Sequence, residues 1–116
     1  MFNFFKKNNN KNVGFKHWDY ETGSGFTLIN NGDSLQYVHS DNSRIIYLSV
    51  LIVSGSPLLN SKLFTDELKL TQTAVGWELK GTRRTAHEML VCVISFTKED
   101  DEVWARDFFN SVRAKA

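Results

Sequence analysis

The stretch Arg44-Ile-Ile-Tyr-Leu-Ser-Val-Leu-Ile-Val53 constrains the fold of this chain more than any other ten residues. It is almost wholly apolar and rich in β-branched side chains, a composition that suits extended backbone better than helix. Ser49 breaks it, and it falls well short of the roughly 18 apolar residues of a membrane-spanning helix. Such a run reads as the central strand of a sheet, buried on both faces. A chain that carries one must also supply its neighbouring strands and an apolar layer to cover them.

The neighbours are legible as alternating patterns. Phe26-Thr-Leu-Ile29 reads as a strand closed by Asn30-Asn-Gly-Asp33, whose Asn-Gly step favours a hairpin. Ser34-Leu-Gln-Tyr-Val-His39 is its expected partner, with Leu35 and Tyr37 on one face, and Asp41-Asn-Ser43 turns the chain into the central strand. Downstream, Val75, Trp77 and Leu79 share one face and Glu78 and Lys80 the other. Between Glu88 and Phe96, Met89, Val91 and Val93 stand opposite Leu90, Cys92, Ile94 and Phe96. Leu68-Lys-Leu70 alternates too, and Phe15 to Tyr20 reads as an irregular edge strand.

Two helices are expected against this sheet. Ser56 at a cap position and Pro57 at the first helical position predict a helix from Leu58 to about Asp66. Asp100 or Asp101 caps a C-terminal helix whose broad apolar face is Trp104, Ala105, Phe108, Phe109 and Val112, with Arg113 and Lys115 at the end that favours cations. Trp104 and Phe108, one turn apart, should both lie on the sheet. The fold class is therefore α+β: an antiparallel sheet of about six strands covered on one face by a C-terminal helix and a shorter middle helix.

A length of 116 residues fits one domain, here 13–116, preceded by a flexible basic tail over 1–12. The first sixteen residues hold four lysines and no acid, yet the whole chain carries only +1. That small charge gives no general attraction to nucleic acid, and the one ring near basic residues, Trp77, points inward by its alternation. Phe2, Phe4 and Phe5 beside the lysines make a single weak membrane signal, whereas stable attachment usually takes two. The N-terminus also lacks the charges-first order of a secretory signal, and the lone Cys92 can form no internal disulfide. A soluble cytoplasmic protein without stable membrane association is expected.

Motifs that carry chemistry are missing from the sequence. Gly23-Ser-Gly25 leads into a strand without a following lysine, so it is a turn and not a phosphate loop. His17, His39 and His87 are far apart, and Cys92 sits between Val91 and Val93 as a small core hydrophobe. No catalytic residue, metal ligand or cofactor is expected. The acidic run Glu99 to Glu102 is explained by the helix that follows. The candidate binding residues are Lys80, Arg83, Arg84 and His87 around a polar hairpin loop over Gly81–His87, where paired guanidinium groups suit an anion or an acidic protein surface. Tyr37 and His39 join them if their faces are exposed. As a solvated loop, Arg83 and Arg84 should be replaceable by Ala with little effect on folding.

The strand–turn–strand Ser34–Val53 and the ending Phe108-Phe109-Asn110-Ser111-Val112-Arg113 resemble the PsbP-like and DcrB-like small α+β domains. The Pro-x-Gly-Trp segment usual there after the first strand is replaced here by Asn30-Asn-Gly-Asp33. That resemblance implies a binding or assembly module with no catalytic residue of its own. A second resemblance is to pleckstrin-homology-like domains, in which a strand like Met89–Phe96 runs into a terminal helix with one inward Trp, here Trp104. A complete core pattern with no nucleophile, metal set or phosphate loop leads to a non-enzymatic intracellular protein-binding or assembly module, its partner another protein or a second copy of the chain. The alternative is a small-ligand-binding or enzymatic domain with an apolar cavity between sheet and helices.

Overall fold

The computed structural model describes residues 15, 17–52, 68–85 and 87–115. The expected middle helix over Leu58–Asp66 and the basic tail lie outside these residues. What is described is α+β, with a six-stranded antiparallel sheet at its centre. Its strands are β2 (Phe26–Asn30), β3 (Ser34–His39), β4 (Arg44–Ile52), β5 (Lys69–Gln72), β6 (Trp77–Arg84) and β7 (Glu88–Phe96), in the order β2-β3-β4-β7-β6-β5. A short β1 (Trp18–Asp19) pairs antiparallel with β8 (Arg113–Ala114) in a second, two-stranded sheet. One α-helix, α1 (Glu102–Ser111), follows a 3-10 turn over Glu99–Asp101.

Local chemistry sets each hairpin. Gly32 takes the left-handed φ of 94° in the β2–β3 turn, and its N–H donates to Asn30 Oδ1 at 2.9 Å. Asn42 takes φ 63° in the next turn, a conformation that Asn tolerates better than most residues. There Asp41 Oδ1 accepts from both the backbone N–H and the hydroxyl of Ser43, at 2.9 and 2.7 Å.

Directly opposed residues on paired strands share a face, so the register divides the sheet cleanly. Leu35 and Tyr37, Ile46 and Leu48, Leu90, Cys92, Ile94 and Phe96, and Leu79 all face α1. Ala105, Phe108, Phe109 and Val112 meet them from above, completing one continuous core. Gly81 belongs to the same layer. A Cβ there would stand 2.8 Å from Phe109 Cε1, so the missing side chain makes room for the helix.

The second face departs from expectation. β4 is central, but no described element packs on its other side, where Tyr47 and Leu51 are exposed and Ile45 and Ser49 half-buried. Ile29 is exposed on the same face, and Val38, Val91 and Val93 are half-buried there. Among the described residues on that side, Met89 is buried, flanked in register by Leu51 and Arg84, as is Ser34 opposite Ser49. The apolar run therefore does not report burial on both sides.

The start of α1 also differs. Asp101 makes no side-chain cap, because the 3-10 turn already satisfies the first N–H groups with backbone carbonyls. Its carboxylate instead accepts Arg44 Nη2 at 2.9 Å and ties the helix to β4. Among the described residues no helix is long and apolar enough to cross a membrane.

Candidate functional site

The structure separates the residues that the sequence grouped. β6 continues to Arg84, so the expected loop over Gly81–His87 shrinks to the turn beyond it, closed by Thr85 N–H donating to the Glu88 carbonyl at 2.8 Å. Strand alternation then sends Arg83 to the helix face and Lys80 and Arg84 to the other. His87 is exposed at the turn.

Arg83 is a structural residue. Its Nη2 donates to the Phe109 carbonyl at 3.2 Å, and its guanidinium carbon lies 4.2 Å over the Phe109 ring. The cation at the end of α1 thus comes from the sheet rather than from Arg113 or Lys115. Arg83→Ala is expected to destabilise the fold by about 1–2 kcal/mol, the sum of a cation–π contact and a charge-assisted bond at a helix end. A urea midpoint equal to the parent's would restore the solvated-loop account.

Tyr37 is buried, not presented. Its hydroxyl pairs with that of Tyr20 at 2.8 Å, and Tyr20 also meets the Phe108 ring edge-on. Burial pushes both phenols above their ordinary pKa, and for Tyr20 the bond to Tyr37 adds to the shift. The unfolded chain ionises near pH 10 while the folded one holds these protons. The contribution of these two phenols to stability should be level below about pH 10 and fall as pH rises above it. Urea unfolding at pH 8 and pH 11 tests this, with Tyr20→Phe expected to flatten the slope.

His39 is half-buried, its Nδ1 2.9 Å from Asp41 Oδ1 and its ring against the backbone of Gly25 and edge-on to Phe26. The Ser43 hydroxyl and N–H, with His39, hold the Asp41 carboxyl well below the usual carboxylate range. This cluster stabilises the turn between β3 and β4. Burial likewise pushes the Cys92 thiol up to about 12, which suits a core residue and not a nucleophile.

Among the described residues, a shallow concave site lies elsewhere. A groove of about 480 Å³ runs between the turn at Glu21, Thr22 and Gly23 and one side of α1. Trp104 and Phe108 give it aromatic surface, Val103 stands 67% exposed along it, and Glu21 and Asp107 add carboxylates. The sheet fixes Trp104 from behind. Phe26 lies parallel to its ring at 6.0 Å, and the Arg44 guanidinium carbon lies 4.7 Å from the ring centroid. Trp104 is therefore docked but only half-buried, in contrast to the expectation that it would be buried like Phe108. Trp104→Ala should cost about 2 kcal/mol, below the range for a fully buried aromatic. Calorimetry showing a loss as large as for Phe108→Ala would contradict that partial exposure.

Sequence reasoning missed Glu21, Val103 and Asp107. One signal was present: Val103, Asp107 and Ser111 recur every four residues, a helical row beside the core face that begins with an unexplained valine.

No protein-family model and no curated protein matches the chain. Among solved structures, an uncharacterised protein of Bacteroides thetaiotaomicron VPI-5482 superimposes with a TM-score of 0.60 at 12% identity. The match covers 85% of this chain and 45% of that one, so this chain spans less than half the length of its structural neighbour. At that identity the likeness shows the fold alone.

Proposed function

We propose that the protein is a non-enzymatic binding module that accepts a segment of a partner protein in the groove beside α1. The observation that carries this reading is an exposed apolar residue, Val103, next to the half-buried ring of Trp104, which stacks on Phe26 of the sheet. Rigid aromatic surface in a concave site is what protein interfaces concentrate at their energetic centres. A role in assembly is also what the PsbP-like resemblance implies. The small-ligand or enzymatic alternative needs an apolar cavity between sheet and helices; on the α1 side, Phe108, Phe109, Leu79 and Cys92 belong to one packed cluster, which favours the binding reading. A photo-crosslinking amino acid at position 103 should give discrete adducts in cells, and the same group at the exposed position 75 should not. Identical adducts from both positions would argue against the groove.

A second reading is self-association through the other sheet face, favoured by Ile29, Tyr47 and Leu51 exposed together there. Light scattering across a concentration range should show a dimer that Leu51→Lys removes. A monomer at every concentration would end this reading.

A further inference from the structure

We infer that the groove beside α1 selects an extended peptide segment carrying a lysine or arginine two residues from a large apolar side chain. The inference rests on the groove being the binding site and specifies what enters it. Glu21 and Asp107 approach from its two opposite walls, and neither carboxylate has a hydrogen bond or ion pair to another described residue. Among the described residues, the groove lining contains no basic side chain. Nearby arginines do not neutralise it: Arg106 is held by Glu102 at 2.8 Å and Arg44 by Asp101 at 2.9 Å. An occupant must therefore bring the positive charge, while Val103 and Trp104 offer apolar surface on the same wall as Asp107.

Geometry sets the spacing. The row Val103–Asp107–Ser111 spans two helical turns, about 12 Å at a rise of 1.5 Å per residue. An extended segment of about four residues covers that length at roughly 3.3 Å each. Its side chains at positions two apart point the same way, so one reaches the carboxylates while the other lies on the apolar part. The groove is an open trough, which suits a chain laid along it better than a small amine surrounded by water.

The test titrates the full chain with three sets of capped hexapeptides and follows its backbone amides by NMR. The first set carries Arg-Ser-Leu or Arg-Ser-Trp, the second replaces Arg by Glu, and the third replaces it by Gln. Shifts confined to 21–23 and 103–111 are expected with the first set only. The exposed double variant Glu21→Gln with Asp107→Asn should bind that set about tenfold more weakly at low salt and keep its own spectrum. Rising salt should weaken the parent toward the variant. If the Gln set binds equally well and the double variant changes nothing, the cationic occupant is refuted while the groove stands. If no set moves those amides, both are refuted.

Discussion

Phe109→Ala is expected to lower the unfolding free energy by about 3–5 kcal/mol, a large share of the roughly 5–15 kcal/mol that a domain has to lose. The ring is almost fully buried and sits where Gly81 leaves the sheet without a side chain. Ala would leave a hollow above Gly81, bordered closely by the Leu68 side chain, because the β6 and β7 backbones on either side are hydrogen-bonded along their length and cannot close in. The Arg83 guanidinium would lose its ring partner as well. A urea titration followed by circular dichroism should show a much lower midpoint or insoluble protein. A loss below about 1 kcal/mol would mean that α1 is not seated through Phe109, and the groove beside it would lose its fixed wall.

The same residues show what the sequence conveyed and where it stopped. Alternation through Ser34–His39 and Glu88–Phe96 revealed both strands because each must send one set of side chains to the core. The Asn-Gly step placed the β2–β3 turn because Gly32 takes a φ that other residues resist. Thr82-Arg83-Arg84 misled for a physical reason. Polar composition signals a loop only when the residues have no backbone partners, and here they pair with Val91, Leu90 and Met89. Arg83 can face the core because its stem lies on Phe109 while its head meets a helix-end carbonyl. Asp101 misled similarly: an acid before a helix is usually a cap, but the 3-10 turn freed it for Arg44.

The groove was less legible because it depends on the approach of two segments distant in sequence. Nothing near Glu21 states that its turn will stand beside Asp107. Only the helical half left a trace, in the spacing of Val103 and Asp107.

Gly76→Ala is expected to cost about 3 kcal/mol, at the upper end for overpacking, although it adds one methyl group to a hairpin turn. The reason is what the methyl would strike. A Cβ at this position would lie 2.3 Å from the Phe96 carbonyl oxygen and 2.9 Å from Thr97 Cα, which are backbone atoms that cannot rotate aside. Phe96 is held in register with Trp77, and the Thr97 N–H donates to the Ser43 carbonyl at 3.1 Å. Relief therefore requires the β5–β6 hairpin to swing away from β7, which would also part the stacked rings of Trp77 and Phe96, 6.0 Å apart. Gly23→Ala separates this effect from the loss of glycine itself. Its Cβ meets nothing within 4 Å, but its φ of 84° is strained for any side chain, so about 1 kcal/mol is expected there. Thermal melts of the two variants should rank Gly76→Ala well below Gly23→Ala. Equal melting temperatures would mean that the hairpin yields freely, and the edge of the sheet at β5 would then be far softer than its pairing with β6 implies.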